Sequence, residues 1–240
     1  MSKVTECIIL AGGKGTRLAT VIADKPKCLA DIAGLPFLHY LLRYLEAQGI
    51  TRIVYSLGHL SEQVVAWVTE HSQIESEFVV EKEPLGTGGA IVYALQHCVT
   101  DSVLVVNGDT MFSIDVQAMA EFHSAKACAM SMALKPLSNF DRYGTVKIDA
   151  TKQITEFAEK QACESGLING GVYIINRNAL LAINFPQKFG FEQDYMVNAA
   201  EFNHQLYGYE SDAYFIDIGI PEDYEIANTE LPQLLQTWIG

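Results

Sequence analysis

One stretch decides the fold of this 240-residue chain: Cys7-Ile-Ile-Leu-Ala-Gly-Gly-Lys-Gly-Thr-Arg-Leu18. Residues 7–11 form an apolar run that is typical of a buried β-strand, and a glycine-rich turn follows directly. Glycines let backbone N–H groups approach an anion closely, and Lys14 and Arg17 add positive charge at the same place. The stretch therefore predicts a strand that ends in an anion-binding loop.

Short apolar runs alternate with longer amphipathic ones through the first half of the chain. This order predicts an α/β fold, with a Rossmann-like, mostly parallel mixed sheet between two layers of helices. Ligands in such sheets bind beyond the carboxyl ends of the strands, so the loops after Ala11, Val80 and Asn107 are the predicted site. The predicted strands are 7–11, 52–57, 78–80 and 103–107, and the predicted helices are 36–47 (ending at Gly49), 61 to about 69 (capped by Ser61) and 87–97.

The second half is richer in β-strands, which we expect to form a lobe embedded in the same domain. Because no Gly- or Ser-rich linker separates the halves, we predict a single domain, residues 1–240, whose halves divide near residue 110. Strands are predicted at 128–134, 145–148, 153–157 and 171–175, helices near Asn178 and Tyr195, and closing strands around Leu206 and Tyr214.

Composition and charge exclude several classes of protein. The chain has 16 Lys and Arg against 29 Asp and Glu, a net charge of −13, which disfavours nucleic-acid binding. Five cysteines without a C-x-x-C pair indicate neither a disulfide framework nor a zinc site. We expect a cytoplasmic protein with no membrane partner, since the N-terminus lacks a signal-peptide pattern and no apolar run is long enough to cross a bilayer.

Two familiar phosphate-binding motifs do not fit the glycine-rich loop. A Walker A loop needs four residues between its first glycine and a Gly-Lys-[Ser/Thr] ending, and a dinucleotide fingerprint needs glycine where Leu18 stands. Asp109 and Asp217, each at a predicted strand end, are carboxylates suited to hold one Mg²⁺. Considered singly, each could equally be a loop-capping residue.

The sequence resembles the sugar-phosphate nucleotidylyltransferases. Their opening signature, A-G-G-x-G-T-R-L followed by P-K-x-L, stands here at residues 11–18 and 26–29. The resemblance continues in order along nearly the whole chain, at 83–89, 107–109, 143–144, 156–160, 169–173 and 215–219. It implies a nucleotide-diphospho-sugar transferase fold, with a nucleotide-binding half at about 1–110 and a sugar-phosphate-binding half at about 111–240. The implied reaction is Mg²⁺-dependent transfer of NMP from a nucleoside triphosphate to a sugar 1-phosphate, releasing pyrophosphate.

The resemblance also implies roles for individual residues. Arg17 would neutralise the leaving pyrophosphate, Lys27 the α-phosphate, and Asp109 would act in catalysis and, with Asp217, hold the metal. The expected nucleotide-binding residues are Leu10, Ala11, Gly12, Gly13, Gly15, Thr16, Arg17, Glu81, Leu85, Gly86 and Thr87. The expected sugar-phosphate-binding residues are Gly144, Glu159, Lys160, Asn169 and Gly170.

The base is predicted from Glu81, which lies where the family places a side chain on the base edge. A carboxylate can accept from both N1–H and the exocyclic amine of guanine, which favours GTP. Backbone groups around Leu10, Gly12 and Leu85 could also read the base, and Glu83 could be the acid involved.

The sugar is predicted from local similarity alone. AGGKGTRL, DKPKCLADIAG, EPLGTGGA and NGGVY resemble most the D-glycero-D-manno-heptose 1-phosphate guanylyltransferases, whose product serves surface polysaccharide synthesis. A chain that stops at residue 240 without a hexapeptide-repeat helix argues against the bifunctional acetyltransferases. Mannose 1-phosphate guanylyltransferase, glucose 1-phosphate thymidylyl- or uridylyltransferase, and a catalytically silent regulatory subunit remain alternatives. A homo-oligomer also stays open, because an apolar helix face packs equally well within or between subunits.

Overall fold

The computed structural model describes residues 3–13, 24–158 and 161–239. The strands are β1 Glu6–Ala11, β2 Asp31–Ile32, β3 Leu35–Pro36, β4 Arg52–Leu57, β5 Glu75–Val80, β6 Ser102–Asn107, β7 Thr110–Phe112, β8 Met130–Phe140, β9 Thr145–Ile148, β10 Ile154–Ala158, β11 Cys163–Asn176, β12 Leu206–Glu210 and β13 Phe215–Asp217. The α-helices are α1 Phe37–Ala47, α2 Ser61–His71, α3 Gly86–Leu95, α4 Val116–Lys126, α5 Arg177–Leu181 and α6 Pro221–Ile239. Short 3₁₀ helices lie at Lys27–Leu29 and Ala199–Phe202, and a π-helix at Phe191–Met196.

Strands from both halves of the chain join one nine-stranded sheet. Its main path runs β10-β9-β11-β6-β1-β4-β5, and β8 joins it through β11 and carries β12. The four strands β6, β1, β4 and β5 are mutually parallel, whereas β11 is antiparallel to β6, β8 and β9. The carboxyl ends of the four parallel strands therefore meet at one edge, as the sequence predicts.

Alternating residues of the central strands supply two separate hydrophobic cores. Cys7 and Ile9 of β1 point into one core, with buried residues of α1, α2, α4 and α6. Ile8 points into the other, with buried residues of α3 and α5 and of the π-helix. The predicted α/β sandwich with helices on both faces is confirmed. No helix among the residues that the structure describes is long and apolar enough to span a membrane.

The structure corrects several predicted elements. Ser61 is the first helical residue rather than the cap of α2; the cap residue is Leu60, in a left-handed conformation with φ 57°, and no side chain caps the helix. The chain does not close with strands, because α6 follows β13. Pro221 and the acidic first turn of α6 are ordinary signals of a helix start that the sequence analysis missed. Strands β8 and β11 extend past the predicted apolar runs because they pair with each other through half-exposed ends.

A buried ion cluster ties together the opposite edge of the parallel strands. Glu6 is 1% exposed, at the start of β1, and pairs with Arg52 at the start of β4. Its carboxylate also accepts from the backbone N–H groups of Val99 (2.9 Å) and Thr100 (2.8 Å) and from the Thr100 hydroxyl (2.8 Å). Arg52 also pairs with Glu75, 3.0 Å away, whose side chain is 72% exposed.

We expect Glu6→Ala to lower the free energy of unfolding by about 3–5 kcal/mol, because it leaves two backbone donors without their acceptor and removes the buried partner of Arg52. Glu75→Ala removes an exposed partner of the same Arg52 and is the matched control, with an expected loss below about 1 kcal/mol. Urea unfolding of both variants measures the difference. Equal losses would contradict the assignment of Glu6 as the central residue of the cluster.

Candidate functional site

A cavity of about 710 Å³ opens at the carboxyl ends of the parallel strands; we call it cavity A. Its lining brings together residues from the ends of β1, β4, β5 and β6 and from the N-terminus of α3. Those residues are Leu10, Gly12, Gly13, Ser56, Gly58, His59, Glu81, Lys82, Pro84, Gly86, Thr87, Ala90, Asn107 and Asp109. The three loops that the sequence predicts all contribute. Gly58 and His59 add a fourth loop, after β4, which the sequence does not predict as part of the site.

Backbone segments approach each other closely in the floor of cavity A. A Cβ on Gly58 would lie 2.7 Å from the carbonyl oxygen of Gly12, and one on Gly108 would lie 2.9 Å from that of Leu10. Any side chain at these two positions would push the loops after β4 and β6 away from the loop after β1. The glycines therefore keep the loops around cavity A in contact.

Glu81 holds the start of α3 against the loop after β1. Its Oε2 accepts from the backbone N–H of Leu85 at 2.9 Å, and its Oε1 lies 3.3 Å from where a Cβ on Gly12 would be. The carbonyl of Leu85 accepts from the N–H of Phe189 at 3.0 Å, so both backbone groups of Leu85 are already bonded. Leu85 lines a neighbouring groove rather than cavity A. Of the predicted base-reading groups, Glu81 thus lies in the cavity and Leu85 beside it.

A second cavity, cavity B, has a volume of about 430 Å³ and shares Thr87 and Asn107 with cavity A. Gly144, Asn169 and Gly170, predicted as sugar-phosphate residues, line it. Further lining residues, to which the sequence assigns no role, come from the loop between β8 and β9, from β11, from the π-helix and from the residue before α6. These include Arg142, Tyr173, Phe191, Glu192, Met196 and Ile220.

The turn in the middle of β11 shapes the wall of cavity B. Gly171 has φ +70°, and a Cβ there would lie 2.4 Å from Nδ2 of Asn107. Asn169 accepts from the N–H of Gly171 at 3.0 Å and donates to the hydroxyl of Tyr173 at 2.8 Å. The Asn169 side chain is therefore fixed in place, with one N–H already used inside the protein.

Lys27 joins two carboxylates at the wall between the cavities. Its Nζ lies 2.5 Å from Oδ2 of Asp109, which lines cavity A, and 3.5 Å from Oδ1 of Asp217, which lines cavity B. Pairing of β13 with β7 brings the aspartates together, since Asp217 lies opposite Thr110. The short helix at Lys27–Leu29 buries Cys28 and Leu29, and this anchors Lys27 beside the pair.

The electrostatics of this cluster follow from burial and from its two like charges. Burial raises the pKa of Asp217, and the negative charge of Asp109 raises it further, while Lys27 opposes both. Burial, with a contribution from Asp109, raises the pKa of the Cys28 thiol to about 12. Cys28 is therefore a protonated packing residue next to the cluster.

The remaining predicted residues divide into two groups. Ala11 ends β1 beside Gly108, where a Cβ on the glycine would lie 3.1 Å from that of Ala11. The other predicted residues lie outside the part of the chain that the structure describes; they are Lys14, Gly15, Thr16, Arg17, Glu159 and Lys160.

Most of the chain matches a known protein family. Residues 6–233 match the family described as Nucleotidyl transferase. This chain belongs to that family. It is 43% identical over 228 residues to the D-glycero-alpha-D-manno-heptose 1-phosphate guanylyltransferase of Aneurinibacillus thermoaerophilus, covering 94% of this chain and 98% of the relative. It is 39% identical over 220 residues to the protein of the same name from Campylobacter jejuni, covering 91% and 96%.

A solved structure of the family has the same fold. The crystal structure of HddC from Yersinia pseudotuberculosis complexed with GMP-PN has a TM-score of 0.84 and 35% identity, covering 95% of this chain and 99% of that one. The predicted family and the nucleotide-diphospho-sugar transferase fold are confirmed.

We expect Lys27→Met to lower the free energy of unfolding by about 1–2 kcal/mol at pH 7, because two part-buried carboxylates lose their shared cation. Without Lys27 the pKa of Asp217 rises further above its unfolded-state value. A raised acid pKa costs its full amount of stability above the folded-state pKa and nothing below the unfolded-state pKa, so the loss should shrink as the pH falls from the first value to the second. Urea titrations at several pH values measure it. Lys25→Met, at an exposed lysine two residues away, is the control, and an equal loss there would contradict the prediction.

Proposed function

We propose that this protein is a guanylyltransferase that transfers GMP from GTP to D-glycero-D-manno-heptose 1-phosphate and releases pyrophosphate. The observation that carries this proposal is the pair of adjoining cavities, with Asp109 lining one, Asp217 lining the other and Lys27 paired with both aspartates. One cavity for the nucleotide and one for the sugar phosphate, meeting at a charged cluster, is what a direct transfer between two bound substrates requires. The names of the two relatives support the choice of GTP and heptose.

In the proposed reaction, an oxygen of the sugar phosphate in cavity B attacks the α-phosphorus of the nucleotide in cavity A. The P–O bond to pyrophosphate breaks as the new one forms, so no protein nucleophile is needed. Catalysis then rests on positioning and on neutralising the charge on the phosphate oxygens. Lys27, at the junction, would stabilise the α-phosphate. Arg17 is proposed for the leaving pyrophosphate from the family resemblance.

Asp109 and Asp217 are the residues that would hold Mg²⁺. Their chemistry fits this ion, because it prefers oxygen ligands and is commonly bound by one or two carboxylates together with substrate phosphates. Burial raises the pKa of Asp217, and the charge of Asp109 raises it further although Lys27 opposes both, so a further cation would stabilise the ionised pair. When bound, the ion would supply further neutralisation of phosphate charge.

Glu81 is proposed to select guanine. Its carboxylate lines cavity A at the end of β5, and a carboxylate matches the two adjacent donors on the guanine edge. Uracil and thymine present a single ring N–H between two carbonyls and gain less from it. Among the cavities described, Glu83 lines only the groove beside cavity A. This favours Glu81 as the acid that reads the base.

We expect Asp109→Asn to reduce kcat for pyrophosphate release at least about a hundredfold, because a charge that organises the phosphates is removed without a change in shape. The assay is pyrophosphate release with GTP, heptose 1-phosphate and varied Mg²⁺. Asp212→Asn removes an aspartate that is 89% exposed and paired with Lys135, and it should leave kcat unchanged. An Asp109→Asn variant with wild-type kcat and Mg²⁺ dependence would overturn the metal assignment.

We expect Glu81→Gln to lower the ratio of kcat/KM for GTP over UTP at least about tenfold, because the amide accepts only one hydrogen bond from the guanine edge. The amide oxygen can still accept from the N–H of Leu85, so the start of α3 should be retained. Glu83→Gln is the matched control and should leave the ratio unchanged. The opposite pattern would transfer the role to Glu83.

The substrates are tested by measuring pyrophosphate release for four nucleoside triphosphates against heptose, mannose and glucose 1-phosphates. Release mainly with GTP and heptose 1-phosphate would support the proposal. A preference for another pair would replace those substrates, and no release by folded, nucleotide-binding protein would favour a regulatory subunit.

A further inference from the structure

Cavity B holds a positively charged side chain that has no part in the reaction proposed for the site. Among the described residues that line the cavity, Arg142 is the one cation, and it belongs to the loop between β8 and β9. Its guanidinium donates to Oδ2 of Asp223 at 2.8 Å and lies 5.5 Å from the centre of the Tyr143 ring. The salt bridge to Asp223 and the contact with the Tyr143 ring limit the orientations that the long Arg142 side chain can adopt.

Ring contacts link Arg142 to the strand that carries Asp217. The Tyr143 ring beside Arg142 meets the Phe215 ring edge-on, with the ring centres 6.1 Å apart, and Asp217 follows Phe215 by two residues in β13. Arg142 and Asp217 both line cavity B, and Asp217 pairs with Lys27 at the junction of the cavities. The Asp217 end of cavity B is where the phosphate of a bound sugar 1-phosphate would have to lie in order to attack a nucleotide in cavity A.

The geometry points to Arg142 as a binding residue for the phosphate of the sugar 1-phosphate, with Asp223 and Tyr143 as its positioning residues. A guanidinium has five N–H donors in a planar fork that matches phosphate oxygens. Its bond to Asp223 uses the Nη2 group, which leaves donors that can serve a ligand. This inference rests on the proposed function and adds a phosphate contact to the same site.

The ion pair between Arg142 and Asp223 would also hold two parts of the wall of cavity B together. Arg142 precedes Tyr143 and Gly144 of the cavity wall, and Asp223 lies in the first turn of α6, just after Ile220 of the same wall. Asp223 is 17% exposed, so its carboxylate is well placed to fix the guanidinium. Binding of phosphate would therefore use an arginine already oriented by the fold.

The test is steady-state kinetics of Arg142→Gln and Arg142→Lys with GTP and heptose 1-phosphate. We expect the KM for the sugar 1-phosphate to rise about ten- to a hundredfold in Arg142→Gln, the range for loss of a charged hydrogen bond, and less in Arg142→Lys. The KM for GTP should change less than about twofold. Arg142→Lys keeps the experiment decisive if Arg142→Gln does not fold.

Competition separates a phosphate contact from a hydroxyl contact. Inorganic phosphate should inhibit the wild type competitively with the sugar 1-phosphate, and Arg142→Gln should raise its inhibition constant at least about fivefold. The inhibition constant of free heptose, which has no phosphate, should stay unchanged. A change for free heptose alone would overturn the inference in favour of a sugar-hydroxyl contact.

Two further variants provide the controls. Asp223→Asn removes the charge that holds Arg142 but keeps one acceptor oxygen, so it should raise the same KM by a smaller factor. Arg43→Gln on α1 should leave both KM values unchanged, since it removes an arginine that is as exposed as Arg142 (46% against 44%) and whose bond to a carboxylate, that of Glu46, is of similar length. An active Arg142→Gln enzyme with unchanged constants would overturn this inference alone, whereas absence of release by the wild type with every sugar phosphate would overturn the proposed function as well.

Discussion

The bridge from Asp109 through Lys27 to Asp217 is the interaction on which the candidate site depends. It joins the short helix before β2, the turn between β6 and β7 and the end of β13, which are far apart in the sequence. Two part-buried carboxylates at one place would repel each other, and the ammonium offsets this repulsion. The same three residues lie at the wall between cavities A and B. One interaction therefore sets both the charge balance and the shape of the site.

Close backbone contacts fix the position of α3 relative to this bridge. A Cβ on Gly86, which has φ +72°, would lie 2.5 Å from the carbonyl oxygen of Phe189, and one on Gly88 would lie 2.2 Å from the Phe189 ring. Glycines of the G-T-G-G stretch thus serve packing against the segment before the π-helix as well as access to a ligand. Since Thr87 lines both cavities, this packing also sets the distance between them.

Stability and function are separated along the parallel strands. At one edge Glu6, Arg52 and the N–H groups of Val99 and Thr100 form a buried cluster with its hydrogen bonds satisfied. At the other edge the loops keep glycines, a part-exposed charge bridge and two open cavities. An edge with satisfied polar groups can hold the strands in register while the opposite edge retains charged groups for a ligand.

The sequence by itself determined the order of strands and helices in the first half and the three strand-end loops of cavity A. These inferences succeed because strand periodicity and loop chemistry are local properties of a chain. Residue type and family resemblance made Asp109 and Asp217 candidates, whereas the pairing of β13 with β7 brings them together. Only the tertiary structure decided that Leu85 has both backbone groups occupied, that His59 lines cavity A, and that Arg142 meets Asp223 81 positions away. Such contacts depend on which strands become neighbours and on how α6 and the π-helix pack against them, and no local pattern contains that information.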